Sequence, residues 1–318
     1  MLFLAAEGFS TVRILTFHYN QADFVEMQYK ALRKFLEDDF ELIVFNDART
    51  PDNEQGIKAA CDKHGIKCVR FEPEWHFSDP LNSYLQSRLQ EKSTVPIWGW
   101  NASTSITEIA NNPSVRHSHV IQYALDHYGY NHDDIVVIMD GDCFVLKPLS
   151  IRELLGSDDL IAFNQRNDPL GAMQISVLQG EEMFWVVFMA FCPSKLPNPR
   201  ELHLNVDVIS GCHHLPENTL GDTGAAVYKY LQKYPHLRTT AYYWQYSWVF
   251  RKFTNKELKE MGFNKFLIHF IYAIAPGDVQ LFLRQTFMHF GAVSAEDVNH
   301  KQKVRCLAKL MDELLKST

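Results

Sequence analysis

Two aspartates, Asp140 and Asp142, are the residues of this sequence best placed to do chemistry. They follow the apolar run at residues 135–139, which predicts a strand buried on both faces. Residues two apart on a strand point to the same side, so both carboxylates can reach one hard divalent cation, which can in turn bind a diphosphate. The spacing therefore predicts a metal site at the carboxyl end of this strand. The competing interpretation is a solvated turn or a helix cap.

The segment that carries these aspartates resembles the Asp-x-Asp segment of glycosyltransferases with the GT-A fold. The resemblance is specific at residues 138–149, Ile-Met-Asp-Gly-Asp-Cys-Phe-Val-Leu-Lys-Pro-Leu. It implies an α/β fold: a single large domain with a Rossmann-like, mixed and mostly parallel sheet flanked by helices. It also implies Mn²⁺ or Mg²⁺ as cofactor, a nucleotide-diphosphate sugar as donor, and a hydroxyl of a sugar, lipid or protein as acceptor. The activity implied is that of a metal-dependent, hexosyltransferase-like enzyme.

Two other functions fit the same motif. A non-catalytic module could bind a nucleotide sugar with this fold and without turnover. A phosphohydrolase of the haloacid dehalogenase type also places Asp-x-Asp after a strand, but it prefers Thr or Val where Phe144 stands here and usually has the motif near its N-terminus. A nucleotidyltransferase is less consistent, because no Gly-rich phosphate loop follows the first predicted strand.

A histidine near the end of the chain, His289, is the candidate for a third metal ligand. Its segment at residues 287–291, Phe-Met-His-Phe-Gly, resembles the His-Phe-x-Gly element of glycogenin-like transferases, in which the histidine completes the metal coordination. The match is partial, because the glycine comes one residue early and no Lys-Pro-Trp follows. An imidazole nitrogen beside carboxylates would favour Mn²⁺ over Mg²⁺. A core histidine between aromatic residues is the equal alternative.

Polar residues also stand at the ends of the first two predicted strands, where GT-A enzymes hold the nucleoside. Thr16 and His18 close the first strand, and Asn46 and Asp47 follow the second. Carboxylate and amide groups in such positions can accept hydrogen bonds from a base N–H or a ribose hydroxyl. Ordinary turn formation explains the Asn-Asp pair equally well.

Two more charged residues are assigned to the donor and the acceptor. Arg116, on the predicted loop before the helix that leads to Asp140, could contact the diphosphate or the base, although exposed arginines are usually solvated. Asp140 itself is expected to contact the donor through the metal. Asp222 is the candidate acid on the acceptor side, either as catalytic base or as a group that orients sugar hydroxyls. A helix N-cap at Asp222 or Thr223 is nearly as good an explanation.

The composition is typical of a globular protein and narrows the range of partners. The chain has 318 residues, 46% of them hydrophobic and 22% charged, which is enough to bury a large core. Its formal net charge of −7 and the lack of a long Lys/Arg run argue against nucleic acid as a partner. No apolar run reaches the roughly 18 residues of a membrane span, and the apolar start is too short for a secretory signal. A cytoplasmic location is the resulting expectation.

Strand and helix patterns alternate in the first half of the chain, which predicts parallel βαβ units whose strands end at one edge of a sheet. The strands are predicted at residues 12–17, 40–45, 67–71 and 135–139. An inserted helix with loops is predicted at residues 72–113.

One GT-A-like domain is assigned to residues 1–292. Its nucleotide-sugar half is residues 12–149 and its acceptor half residues 150–292. Residues 293–318 are assigned to an amphipathic C-terminal helix, which covers the core or contacts a membrane surface peripherally.

Overall fold

The first part of the chain alternates strands and helices as predicted. The computed structural model describes residues 11–96, 99–167, 175–177, 184–210, 217–273, 279–283, 285–290 and 300–317. The first elements are β1 (Val12–His18), α1 (Ala22–Phe35), β2 (Phe40–Asn46), α2 (Pro51–His64) and β3 (Lys67–Arg70). The apolar patterns explain this order, because α1 buries residues at helical spacing whereas β1 and β2 bury consecutive residues.

Residues 72–113 contain more helix than predicted. Instead of one inserted helix, the structure has α3 (Trp75–Ser78), α4 (Pro80–Leu89), the short strand β4 (Val95–Pro96) and α5 (Ile106–Asn111). The next elements are α6 (Pro113–Ala124), which continues as a π-helical turn (Leu125–Gly129), then β5 (Val136–Asp140) and β6 (Cys143–Val145). The added helices are too short to show an apolar repeat. Their local signals are N-caps: Asp79, followed by proline, begins α4, and Ser105, in a capping box with Glu108, begins α5.

The second part of the chain has short strands between helices. It begins with α7 (Ile151–Leu155), β7 (Leu160–Asn167), β8 (Ile175–Val177), β9 (Phe184–Phe191), β10 (Val208–Ile209) and β11 (Thr219–Leu220). It continues with α8 (Ala225–Lys233), β12 (Thr239–Tyr246), α9 (Ser247–Phe250), α10 (Asn255–Glu260) and α11 (Lys265–Ala273). It ends with β13 (Gln280–Phe282), β14 (Phe287–His289) and α12 (His300–Lys316).

Eleven of the described strands form one mixed sheet, in the order β3-β2-β1-β5-β9-β7-β12-β13-β14-β6, with β8 on β12. The run from β3 to β5 is parallel, and so is the pair β7–β12. The pairs of β9 with β5 and β7, and those of β13, β14, β6 and β8, are antiparallel. The prediction of a mixed α/β sheet is confirmed, but the prediction that it is mostly parallel is wrong. Past β5 most pairs are antiparallel, because β9 runs against both β5 and β7, and the strands β12, β13, β14 and β6 alternate in direction.

Helices cover both faces of this sheet. Residues of α1, α11 and α12 share one apolar cluster with the sheet, and residues of α6 and α8 share another. The apolar side of α12 is part of the first cluster, since Leu307, Leu310, Met311 and Leu314 are all buried. The apolar side of α12 therefore packs against the core. Among the described residues, no helix has both the length and the apolar composition needed to cross a bilayer.

Candidate metal centre and cavity

The turn Asp140-Gly141-Asp142 joins β5 to β6 at the edge where β1 and β2 also end. The turn packs so closely on β1 that only glycine fits at its centre. A Cβ on Gly141 would lie 2.4 Å from the carbonyl oxygen of Phe17 and 2.7 Å from Nδ1 of His18. The glycine between the aspartates is therefore a packing requirement, and it brings both carboxylates next to the end of β1.

A buried glutamine of α1, Gln28, holds the same turn from the other side. Its Nε2 donates to the carbonyl oxygens of Asp140, at 2.8 Å, and of Cys143, at 2.9 Å. Its Oε1 accepts from Oγ1 of Thr16 at 2.8 Å and lies 3.4 Å from Nε2 of His18. Thr16 and His18 were predicted to contact the nucleoside. The structure shows both engaged with Gln28, so they also support the aspartate turn.

His289 reaches the aspartates through the sheet. β14 pairs with β6 in the register that sets His289 opposite Cys143, the residue after Asp142. Nε2 of His289 lies 3.1 Å from Oδ1 of Asp142, while its Nδ1 contacts Oε1 of Gln280. One ligand atom from each of Asp140, Asp142 and His289 lies within 4.8 Å of the others. The three predicted ligands are thus brought together.

The donor set fits a divalent cation. Gln280 can accept only the Nδ1 proton of His289, which leaves the Nε2 lone pair directed at Asp142. Two lone pairs at this distance repel unless a proton or a cation lies between them. Ligands at about 2.1 Å from an octahedral ion are about 3 Å apart, close to the observed spacing. Oδ1 of Asp140 is buried and accepts no well-aligned hydrogen bond, although His117 Nε2 is 3.0 Å away.

His117 is a site residue that the sequence analysis did not single out. It follows Arg116 in the first turns of α6, and both side chains line the cavity described below. No motif marks it. The signal that could have found it is the helix start at Asn112, which is followed by Pro113. This cap begins α6 several residues earlier than predicted. His117 therefore lies on a helix at the site and not on the expected loop.

The charges of this cluster perturb one another. Burial lowers the pKa of His117, but the negative charges of Asp140, Asp142 and Asp222 outweigh burial and raise it. Burial likewise opposes protonation of His289, yet the charge and hydrogen bond of Asp142 raise its pKa overall. Burial raises the pKa of Asp142, and the charge and hydrogen bond of His289 reverse this to a lowered value. The cluster therefore attracts positive charge, whether a proton or a metal ion.

A cavity of about 510 Å³ opens beside the aspartate turn. Its volume lies within the range of small-molecule sites. Six of the predicted site residues line it: His18, Asp47, Arg116, Asp140, Asp142 and Asp222. Its other polar and charged lining residues are Tyr19, Asn20, Gln21, Arg49, Ser114, His117 and Thr223. Thr16, Asn46 and His289 lie outside this lining.

Asp47 and Arg116 form a buried ion pair in the cavity wall. Nη2 of Arg116 lies 3.0 and 3.2 Å from the two carboxylate oxygens of Asp47, and Nε2 of His76 lies 2.6 Å from the nearer one. Arg116 is only 5% exposed. Burial lowers the pKa of Arg116, whereas Asp47 acts to raise it. The expectation of a loop arginine is therefore wrong, because α6 begins at Pro113 and includes Arg116.

Asn46 has a structural role at the end of β2. Its Nδ2 donates to the carbonyl oxygen of Glu54 at 3.0 Å, and its Oδ1 accepts from the backbone N–H of Ala48 at 3.1 Å. With 1% of its surface exposed, the side chain forms the turn that orients Asp47 toward the cavity. This matches the turn interpretation of the Asn-Asp pair.

Asp222 lies at the cavity just before α8. The N-cap of α8 is Gly224, with φ of 90°, and not Asp222 or Thr223, so the capping alternative is wrong. A Cβ at Gly224 would meet the carbonyl oxygen of Phe184 at 2.9 Å, which explains why a glycine starts the helix. Oδ1 of Asp222 accepts from the N–H of Thr223 at 2.7 Å, and this hydrogen bond aims its carboxylate.

No protein-family model matches the chain, and no curated protein does. Among solved structures it is similar to a mycobacterial protein, with 16% identity and a TM-score of 0.38 over 74% of this chain and 65% of that one. It is also similar to the mannosyltransferase PcManGT from Pyrobaculum calidifontis, solved with GDP-Man and Mn²⁺. That match has 14% identity and a TM-score of 0.38, over 72% of this chain and 53% of the other. The chain thus matches about two thirds of one neighbour and about half of the other.

Proposed function

We propose that this protein is a metal-dependent glycosyltransferase that moves a sugar from a nucleotide-diphosphate donor to an acceptor hydroxyl. The observation that carries the proposal is the convergence of Asp140, Asp142 and His289 beside a cavity of about 510 Å³. The pairing of β14 with β6 places this histidine against the Asp-Gly-Asp turn. Its Nε2 faces a carboxylate, which is the arrangement a cation requires.

The charge of the cavity supports a requirement for metal. Asp47, Asp140, Asp142 and Asp222 line it against only two guanidinium groups, those of Arg49 and Arg116. A diphosphate entering this cavity alone would meet more negative than positive charge. A bound Mn²⁺ or Mg²⁺ supplies the missing counter-charge for the diphosphate leaving group. The nitrogen ligand favours Mn²⁺.

The two arginines are suited to the donor. Arg116 is fixed by Asp47, so its remaining N–H groups have a defined direction. Arg49 is exposed at the end of the same turn and lines the cavity. Asp47 and His18 border the part of the cavity next to β1 and β2, where the nucleoside is assigned. Thr16 and Asn46 act there through Gln28 and through the turn at the end of β2.

Asp222 is assigned to the acceptor. In the transfer step, an acceptor oxygen forms a bond to the anomeric carbon while the bond from that carbon to the diphosphate breaks. The acceptor proton then passes to a carboxylate oxygen of Asp222. If Asp222 instead orients the acceptor, its loss raises KM more than it lowers kcat.

Isothermal titration of GDP and UDP with and without Mn²⁺, followed by assays of donor hydrolysis and transfer, tests the proposal. We expect nucleotide binding that depends on Mn²⁺ and is lost in Asp140→Asn and Asp142→Asn. Asp312→Asn, an exposed change on α12, is the matched control and should bind as the wild type does.

Each other outcome selects a different function. Metal-dependent nucleotide binding with neither hydrolysis nor transfer for any donor indicates a binding module. Release of phosphate from simple phosphate esters, without nucleotide binding, indicates a phosphohydrolase. Binding of neither metal nor nucleotide overturns the proposal.

A further inference from the structure

Four side chains form a row that begins at Asp47 in the cavity wall and ends at the partly exposed Asp79. Oδ1 of Asp47 lies 2.6 Å from Nε2 of His76, whose Nδ1 lies 3.2 Å from Nδ1 of His119. Nε2 of His119 lies 3.7 Å from Oδ1 of Asp79, the N-cap of α4. His76 is 0% exposed and His119 is 1% exposed. The inserted helices α3 and α4 thus contact the cavity through two buried imidazoles.

When both histidines are neutral, this row has one proton too few to fill its contacts. The short contact with Asp47 requires a proton on Nε2 of His76. A neutral His76 then has a bare Nδ1, so His119 must donate from its own Nδ1. Nε2 of His119 is consequently bare, buried and without a hydrogen bond, and it faces a carboxylate. Such an orphaned atom is costly inside a protein.

One added proton removes this mismatch. With His76 protonated on both nitrogens, its Nδ1 donates to Nδ1 of His119, and the proton of His119 moves to Nε2, facing Asp79. A second added proton is not accommodated. It would place two hydrogens between the Nδ1 atoms, and burial with the charges of His76 and Arg116 lowers the pKa of His119 to about 3. The pair can therefore hold one extra proton or none.

The charged groups near His76 and His119 determine how the added proton changes the charge balance at Asp47. Asp47 and Asp79 face the pair directly, and the charge of Arg116 acts on His119. Arg49 and Arg70 act in turn on Arg116, and Asp126 acts on Asp79. Tyr123 is one ring layer away, stacked edge-on against Phe71, which packs on His76. When the proton is present, Asp47 is balanced by both His76 and Arg116. The positive charge of Arg116 is then less fully neutralised by Asp47, so Arg116 can attract an anion in the cavity.

We propose that His76 and His119 share a single proton, and that this shared proton positions Asp47 and Arg116 to bind the anionic donor. The pair are positioning residues, since neither lines the cavity. The proposal rests on the proposed function for the identity of the anion, but not for the sharing of the proton. Because the donor is negative, it binds more tightly when the proton is present.

The first experiment follows the ring nitrogens of both histidines by NMR in the metal-free wild-type protein from pH 5 to pH 9. We expect His76 and His119 to change together, at one midpoint and with one proton in total. Independent titration of the two rings, or no change in either ring, overturns the proposal. This result does not depend on any nucleotide.

The second experiment compares nucleotide binding by the wild type and by His76→Gln. Glutamine keeps an N–H donor for Asp47 but cannot be ionised. The dissociation constants for GDP and UDP are measured with Mn²⁺ present and expressed as the ratio of variant to wild type. We expect this ratio to be about ten at low pH and near one at high pH, because the variant lacks one positive charge near the anion only when the wild type is protonated. Taking the ratio cancels the pH dependence of the metal ligands. A ratio that does not change with pH overturns the link to the donor.

His236→Gln is the matched control, because His236 is exposed. Its binding should follow the wild type at every pH. If the wild type binds no nucleotide but both rings titrate together, the donor assignment fails and the shared proton stands. If nucleotides bind and the rings titrate separately, the donor assignment stands and the shared proton fails.

Discussion

Two groups of carboxylates line the same cavity, and they are neutralised in different ways. Asp47 is paired with the permanent charge of Arg116 and has His76 as a second hydrogen-bonding partner. Among the described residues, the ion-pair partners of Asp140 and Asp142 are imidazoles, His117 and His289, whose charge depends on bound protons. The first group is complete as folded, whereas the second has a deficit of positive charge. The proposed metal site coincides with the second group, because partly buried carboxylates without a fixed counter-charge favour a bound cation.

The largest expected effect separates the two groups by stability. Asp47→Asn should lower the free energy of unfolding by about 4 kcal/mol, because it leaves the buried Arg116 unpaired. Asp142→Asn should change the metal-free protein by less than about 1 kcal/mol, because the relief of repulsion with Asp140 offsets most of the lost ion pair with His289. Urea unfolding without metal measures both. Equal losses in the two variants would show that the groups do not differ as described.

The second prediction concerns the close packing of the aspartate turn. Gly141→Ala should cost about 3 kcal/mol, because the added methyl group meets the backbone of Phe17 and the ring of His18. It should also remove the rise in melting temperature that Mn²⁺ gives the wild type by binding the folded state. Gly56→Ala, inside α2, is the control and should stay within about 1 kcal/mol. A stable Gly141→Ala protein with unchanged metal binding would contradict the role of the turn.

The third prediction concerns Gln280, which orients His289 at the proposed metal site. Gln280→Leu removes the acceptor that orients His289, so Mn²⁺ should bind about 10- to 100-fold more weakly. Titration calorimetry with Mn²⁺ alone gives this number. Gln122→Leu, whose amide contacts Asp126 on the outer side of α6, should bind Mn²⁺ normally. An unchanged affinity in Gln280→Leu would mean that His289 is not a ligand.

The smallest effect concerns His18, which lies between the two groups. Burial lowers the pKa of His18 to about 4, below its value of 6.5 in an unfolded chain. The unfolded chain therefore binds the proton more readily, and stability falls as the pH drops from 6.5 towards 4. His18→Gln should remove about 1 kcal/mol of this loss at pH 5.5 relative to pH 7. The difference between variant and wild type isolates it from His117 and His289, whose raised pKa values act in the opposite sense.

Local patterns in the sequence are sufficient for the elements of the first half. The apolar runs of β1, β2 and β5 and the helical spacing in α1 appear in the structure close to their predicted bounds. The sheet direction beyond β5 was predicted incorrectly, because an apolar strand such as β9 has the same pattern in either direction. One inserted helix was predicted where the structure has α3, α4 and α5. Of these short helices, α4 and α5 are marked by N-cap residues rather than by an apolar repeat.

The site divides in the same way. Asp140 and Asp142 are neighbours in the chain, so their spacing and the preceding apolar run were enough to nominate them. His289 was nominated through a partial motif, but its place beside Asp142 depends on the pairing of β14 with β6. His76, His117 and His119 carry no motif at all. His117 lines the cavity, and His76 and His119 reach its wall through Asp47, because tertiary packing brings α3 and α6 to the ends of the strands.

By itself, therefore, the sequence determined which carboxylates are delivered at the end of a buried strand, because a period of two and an apolar run are local properties of the chain. Only the tertiary structure decided which carboxylate receives a permanent counter-charge and which faces ionisable imidazoles instead. That depends on side chains tens to hundreds of residues apart, as in the pairs Asp47–Arg116 and Asp142–His289. Charge balance in a cavity is a sum over all elements that surround it, and no single segment contains that sum.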